Sequence, residues 1–178
     1  MGLRRVDASS AGGENHPGGP VVYRRRVRWG EGDPAHIAYT VRFLDFVMEA
    51  IEEWFREVLG VDWYQLNLDL GMGSPVVHLE LDFSAPVKPG DVLEIPVLVQ
   101  RLGGSSITFE LRARLAADAS ERFRALMVHS LVDNRRMKAI PYPPEFRARI
   151  EDYIRACGEK VAEHTSSASD PTPPGPGP

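Results

Sequence analysis

The sequence predicts an α+β domain in which one long apolar helix packs against an antiparallel β-sheet. Over positions 40–59 the apolar residues are dense and fall at helical spacing on more than one face. From position 77 onward, apolar and polar residues alternate with the period of two that is typical of strands. Because only the sheet offers enough apolar surface to cover such a helix, we expect the sheet to wrap around it.

A first strand is predicted over positions 21–29, where Tyr23, Arg25 and Val27 alternate with Arg24, Arg26 and Arg28. Gly30 and Gly32 interrupt this pattern. Asp33 and Pro34 then predict a helix start, because aspartate is a good N-cap and proline is favoured in the first helical turn. The long helix follows, and Gly60 is expected to end it as a C-cap.

The second half of the chain is predicted to be four strands and a short helix. The strands are separated by turn-forming residues such as Pro89-Gly90 and Gly103-Gly104. On the first of these strands, Leu79 and Leu81 are expected to face the core. The predicted strands are 77–83, 92–102, 107–115 and 123–132, and a terminal amphipathic helix covers 143–154.

The composition predicts one ordered domain between two disordered ends. The chain has 178 residues, which suits a single domain. Positions 1–20 and 157–178 are expected to be disordered, because segments rich in Gly, Ser and Pro bury too little apolar area to order the chain. The ordered domain is therefore predicted over 21–156.

Charge and cysteine content narrow the possible partners and the compartment. A net charge of −4 gives no general nucleic-acid or anionic-membrane surface, and no apolar run reaches the roughly 20 residues of a membrane span. Cys157 is the single cysteine and has no internal disulfide partner. With no export signal visible, we expect a cytoplasmic protein. No metal site is expected, because no set of His, Cys and carboxylates has ligand spacing.

Chemistry is most plausible around Asp33, where the chain passes from strand to helix. The start of a helix carries unpaired N–H groups and the positive end of its dipole. A thioester carbonyl placed there is polarised, and a nearby carboxylate can attack the acyl carbon or deprotonate a water. By local sequence alone, an ordinary helix cap is the more frequent role for such an aspartate.

Four segments resemble one known family. The segment WGEGDPAHIAY at 29–39, followed by RFLD at 42–45, is similar to the signature of the 4-hydroxybenzoyl-CoA thioesterase family of hotdog proteins. The similarity continues through 83–91, 105–109 and 136–141, in the family's order. It implies a hotdog fold, with one central helix wrapped by about five antiparallel strands.

The resemblance also assigns candidate residues. Asp33 matches the catalytic aspartate, and the backbone amide of Thr40 matches the donor that polarises the thioester carbonyl. His36 stands where the family usually has glycine, and its imidazole is either a further catalytic group or a residue on the rim of the site. Contacts to coenzyme A are expected from the region of Arg101, Ser105, Ser106 and Arg136.

The resulting prediction is an acyl-CoA thioesterase that releases a free acid and coenzyme A, with aromatic thioesters such as hydroxybenzoyl-CoA among the candidate substrates. Coenzyme A is part of the substrate, and no separate cofactor is expected. Hotdog subunits associate, so the family implies a homodimer or homotetramer. Two alternatives remain: an enoyl-CoA hydratase or dehydratase that uses Asp33 and His36, and a non-catalytic acyl-CoA binder.

Overall fold

One antiparallel sheet of five strands curves around a single central helix, so the predicted hotdog architecture is confirmed. The computed structural model describes residues 19–166, and side chains over 19–158. The predicted disorder of positions 1–18 and 167–178 lies outside the described residues. Strand order in the sheet is β1-β4-β5-β6-β3, and a second sheet has the order β2-β7-β8. The strands are β1 (Val21–Arg26), β2 (Met72–Gly73), β3 (Val76–Phe83), β4 (Val92–Leu102), β5 (Ser106–Leu115), β6 (Glu121–Ser130), β7 (Val132–Asp133) and β8 (Lys138–Ala139).

The central helix α1 (Arg42–Trp54) forms the core with the inner face of the sheet. It continues into a π-helical turn, Phe55–Leu59, and ends at Gly60, whose φ of 73° is the left-handed C-cap that the sequence predicted. Trp54 lies edge-on to Phe109 of β5, with ring centroids 4.8 Å apart. Each large side chain that the sheet buries contributes roughly 1.5–3 kcal/mol. The fully buried residues of α1 are Phe46, Val47, Ala50, Ile51 and Trp54.

The helix begins later than Asp33-Pro34, so the predicted start at that pair is wrong. Its N-cap position is Val41, which makes no side-chain capping bond. The chain before it is instead held by longer-range hydrogen bonds, with Ala38 N–H donating to Val87 O at 2.7 Å and an isolated bridge between Gly32 and Ala38. These contacts bind the segment to a turn that is distant in sequence, and helix propensities, which are local, do not predict them.

Strand β3 lies at one edge of the sheet and is largely exposed. The predicted apolar face of this strand is buried only in part: Leu79 and Leu81 are half-buried, whereas Val77 is 61% and Phe83 51% exposed. Only one side of β3 is paired, with β6. An edge strand with exposed apolar residues favours association with another strand.

The C-terminal helix α2 (Pro144–Ser166) is longer than predicted. It continues past Ile154, so the predicted domain boundary at 156 falls inside it. The reason is an apolar stripe that extends beyond that point: Phe146, Ile150, Tyr153 and Cys157 are all buried and recur every three or four residues. Tyr153 joins the helix to the sheet, because its hydroxyl donates to Val97 O and accepts from Val21 N–H at 3.0 Å. Within residues 19–166, no helix is both long and apolar enough to cross a bilayer.

A neutral histidine is part of the core. His129 on β6 is fully buried, lies parallel to the Trp63 ring with centroids 6.1 Å apart, and donates from Nδ1 to Ser74 O at 2.9 Å. Burial lowers its pKa from 6.5 to about 4, although the hydrogen bond to Ser74 partly opposes this shift. The folded state therefore holds this imidazole uncharged.

We expect stability to fall as the pH decreases from 6.5 to 4. In this window the unfolded chain binds a proton at position 129 and the folded chain does not, so protonation favours unfolding. The full effect is on the order of 3 kcal/mol, since one pKa unit corresponds to about 1.4 kcal/mol. Urea unfolding midpoints of the wild type and His129→Gln, measured across this range, test it. Parallel pH profiles for the two proteins would contradict the assignment.

Candidate active site

The segment between β1 and α1 is bound to the turn that precedes β4. Val27 N–H donates to Asp91 O, and Gly90 N–H donates to Val27 O, both at 2.8 Å. A Cβ placed on Gly32 would lie 2.9 Å from Pro89 Cγ, so the close approach of the two segments requires glycine at 32. The predicted Pro-Gly-Asp turn thus forms one wall of the site.

Residues 33–37 form a tight turn that presents Asp33. Asp33 N–H donates to Ile37 O and His36 N–H donates to Asp33 O, both at 2.9 Å. Asp33 Oδ1 accepts from Ala35 N–H at 2.8 Å. Among the described residues Asp33 Oδ2 has no hydrogen-bond donor, so this oxygen is available to a substrate or a water.

His36 occupies the left-handed region of backbone conformation, with φ of 60°. A side chain there costs about 1 kcal/mol relative to glycine. The turn requires this conformation, because it reverses the chain within the two hydrogen bonds that close residues 33–37. The histidine is therefore strained, and the same backbone would accommodate glycine.

A buried arginine holds the segment that leads into the Asp33 turn. Arg25 of β1 is only 7% exposed. Its Nη2 donates to Glu31 Oε1, its Nε lies 2.8 Å from Glu49 Oε2 on α1, and its guanidinium carbon is 3.9 Å from the Phe46 ring centroid. Glu31 in turn accepts from Arg28 N–H at 2.7 Å. These contacts join β1, the loop and α1 immediately beside the site.

Tyr23 extends this charged cluster. Its hydroxyl donates to Glu49 Oε2 at 3.1 Å. Burial, together with the negative charge of Glu49, raises the Tyr23 pKa to about 12. The phenol thus stays protonated and keeps Glu49 oriented toward Arg25.

Two cavities are lined by residues of the segment between β1 and α1. The first, of about 320 Å³, is mainly apolar, and its lining includes Ile37, Thr40, Phe43, Phe83, Ala85 and Pro86. The second, of about 650 Å³, is more polar, and its lining includes Trp29, Gly32, Asp33, His36, Lys88 and Pro89. Asp33 and His36 therefore lie together, as the sequence suggested, whereas Thr40 lines the first cavity.

Thr40 provides an unused backbone donor at the start of α1. Tyr39 N–H already donates to Glu31 O at 2.8 Å. Within residues 19–166, the N–H groups of Thr40 and Val41 have no acceptor. Free donors at a helix N-terminus polarise a carbonyl or stabilise an anion.

The residues expected to contact coenzyme A lie at the opposite end of the sheet. Strand β4 has 11 residues, so its two ends are about 35 Å apart at roughly 3.3 Å per residue. The Asp33 loop contacts the residues before its first end, while Arg101, Ser105 and Ser106 lie at its last end. Arg136 is also remote, in the turn between β7 and β8. One subunit therefore does not bring these four residues to Asp33. In the part of the chain that is described, no three His, Cys, Asp or Glu residues form a metal-binding group.

The sheet wrapped around α1 and the carboxylate turn before its N-terminus define a protein of the hotdog class. Residues 27–150 match the model of the thioesterase-like superfamily, and the chain belongs to this superfamily. The predicted family resemblance and the prediction of a thioester hydrolase are confirmed at this level.

Individual relatives agree with this assignment. The 1,4-dihydroxy-2-naphthoyl-CoA hydrolase of Thermosynechococcus vestitus is 29% identical over 148 residues, covering 83% of this chain and 94% of the relative. A crystal structure of a thioesterase superfamily protein from Jannaschia sp. CCS1 is 37% identical, with a TM-score of 0.71 over 79% of this chain and 97% of the other. The 1,4-dihydroxy-2-naphthoyl-CoA thioesterase of Synechocystis is 26% identical, with a TM-score of 0.69 over 75% and 97% of the two chains.

Sequence reasoning missed the supporting cluster around Arg25. The signal was present, because Arg25 shares one face of the predicted strand with the less polar Tyr23 and Val27. A charged residue on that face indicates a buried ion pair. Its partners Glu31 and Glu49 are not recognisable from the sequence, since one lies in the short 3-10 turn Trp29–Glu31 and the other on α1.

We expect Arg25→Met to destabilise the protein by about 2–3 kcal/mol, because it leaves Glu31 and Glu49 without their cation. This value is smaller than the roughly 3–5 kcal/mol for breaking a fully buried pair, since Glu49 is 40% exposed. The matched control is Arg24→Met on the same strand, where the pair with Glu94 is exposed and 3.8 Å long. This control should change stability by less than about 0.5 kcal/mol. Equal urea midpoints for both variants would refute the role of Arg25.

Proposed function

We propose that this chain hydrolyses acyl-CoA thioesters, with Asp33 as the reacting carboxylate and the Thr40 N–H as the donor to the thioester carbonyl. One observation carries the proposal: a carboxylate with a free oxygen and a helix start with free N–H groups belong to one eight-residue segment, 33–40, that is held by backbone hydrogen bonds. Membership of the thioesterase-like superfamily favours hydrolysis over enoyl-CoA hydration and over binding without catalysis.

The chemistry follows from these two groups. The thioester oxygen accepts from Thr40 N–H, which stabilises the negative charge that develops as the acyl carbon is attacked. Asp33 either attacks this carbon or takes the proton of an attacking water. The C–S bond then breaks, and the thiolate of coenzyme A leaves without needing a strong acid. No cofactor beyond coenzyme A itself takes part in this scheme.

We infer an aromatic acyl group as the substrate class. The first cavity is about 320 Å³, within the lower range of small-molecule sites. Phe43 and Phe83 form its aromatic wall, edge to face with centroids 4.9 Å apart, an arrangement that suits contact with a planar ring. The relatives named 1,4-dihydroxy-2-naphthoyl-CoA hydrolase support the same class.

We also infer that the working unit contains a second copy of the chain, paired through β3. In a two-fold antiparallel pair, the start of one strand lies beside the end of the other. Phe83 ends β3 at the acyl cavity, and Val76 starts it at the far end of the sheet. Such a pair would bring Ser106 of the partner subunit and its neighbours toward this active site, which supports their proposed role in binding coenzyme A.

We expect Asp33→Asn to lower kcat for aromatic acyl-CoA thioesters by roughly 10²–10⁴-fold, the usual contribution of such a group. The melting temperature should stay within about 2 °C of the wild type, because the amide oxygen still accepts from Ala35 N–H. A thiol-reactive dye reports release of coenzyme A from a panel containing 1,4-dihydroxy-2-naphthoyl-, 4-hydroxybenzoyl- and aliphatic thioesters.

Asp45→Asn is the matched control for this experiment, since Asp45 is an exposed carboxylate in the first turn of α1 that pairs with Arg42. It should leave turnover unchanged. Wild-type rates in Asp33→Asn would remove this residue from the mechanism. Faster hydrolysis of aliphatic than of aromatic thioesters by the wild type would reject the inferred acyl class.

Light scattering should give a mass of at least twice 19.8 kDa. Val77→Lys places a charge on the exposed edge of β3 and should lower the mass to that of one chain, with loss of turnover. Leu68→Lys changes an apolar residue outside the strand that is more exposed than Val77, and it should preserve both properties. A fully active monomer would exclude the paired site.

A further inference from the structure

His36 adopts a conformation that its own side chain disfavours. Three described non-glycine residues have positive φ, namely His36, Ala119 and Met137. Ala119 lies in the turn between β5 and β6 and lines neither of the two cavities at the Asp33 loop. A strained residue persists when the surrounding structure enforces it, and such residues cluster at functional sites.

The fold makes no use of the imidazole ring. His36 is exposed, and within the described residues its ring forms no hydrogen bond or ion pair, in contrast to His78 and His129. The hydrogen bonds that close the turn are made by its backbone and by Asp33. A glycine would therefore satisfy the turn without strain.

The position of His36 gives the ring a chemical use. It lines the same cavity as Asp33, together with Lys88 and Pro89. Asp33 Oδ1 is occupied by Ala35 N–H, which leaves Oδ2 as the reactive oxygen. Histidine is the side chain that most often accepts a proton in catalysis, and His36 lines the same cavity as this oxygen's residue.

We propose that His36 is the general base for the second half of a two-step hydrolysis; this inference rests on the proposed function. In the first step, Asp33 Oδ2 bonds to the acyl carbon, the C–S bond breaks and the thiolate of coenzyme A leaves, to be protonated by solvent. In the second step, a water oxygen bonds to the same carbon while its proton passes to the imidazole nitrogen. The bond to Asp33 breaks, which restores the carboxylate, and the imidazolium returns its proton to solvent.

Two substitutions separate the chemistry from the backbone strain. His36→Asn retains hydrogen bonding and tolerates the left-handed region, but it does not accept the proton. His36→Gly removes both the ring and the strain. Ala119→Gly is the matched control, because it relieves the same kind of strain in a turn that lines neither cavity at Asp33.

We expect His36→Asn to show a burst of coenzyme A release, followed by slow turnover. His36→Asn should release up to one thiol per subunit rapidly and then turn over about 10²-fold more slowly than the wild type, as loss of a general base predicts. His36→Gly should behave likewise, with a melting temperature equal to or about 2–4 °C above the wild type. Ala119→Gly should keep wild-type turnover.

Other outcomes overturn the inference in distinguishable ways. His36 is not the general base if His36→Asn keeps turnover within twofold of the wild type, or if its turnover is slow but shows no burst. In either case the proposed function still stands as long as Asp33→Asn is inactive. An unchanged kcat with a raised KM assigns His36 to binding and rejects the base. Full activity of Asp33→Asn in the same assay defeats the proposed function itself.

Discussion

The ion pair of buried Arg25 with Glu31 and Glu49 is the interaction on which the site depends. It joins a strand, the loop that carries the carboxylate, and the central helix. A guanidinium has several donors in a fixed planar geometry, so one side chain can hold two acidic partners in defined directions. The orientation of the Asp33 turn relative to the start of α1 therefore follows from a contact in the interior, not from the loop sequence alone.

Near this ion pair, the core is packed for stability, whereas the loop has features that reduce stability and serve the proposed chemistry. The core follows ordinary rules, with aromatic side chains of α1 packed edge to face on the sheet. The loop departs from them, because it carries a histidine where glycine would be unstrained and leaves helix N–H groups without acceptors. Unsatisfied N–H donors and a strained turn both destabilise a fold. A bound substrate would accept hydrogen bonds from these donors, and the strained turn would hold the His36 ring beside it.

The two ends of the sheet divide the predicted site residues into two groups. Asp33, His36 and Thr40 lie at one end, and Arg101, Ser105, Ser106 and Arg136 lie about 35 Å away by strand length. The exposed edge of β3 runs between these ends. A single chain therefore presents half of the proposed site at each end, and two-fold pairing along that edge is the simplest way to unite them.

The sequence by itself determined the repeating elements, because helix and strand periods are local properties. It predicted the central helix and its end at Gly60, the strand β4 with its bounds, and the clustering of Asp33 with His36. Only the tertiary structure decided where that helix begins, since hydrogen bonds to Val87 and Asp91 hold the preceding segment out of it. The tertiary structure also decided which residues pair with Arg25 and how exposed β3 is. Both depend on which distant segments come into contact, and the period of the sequence pattern does not specify those contacts.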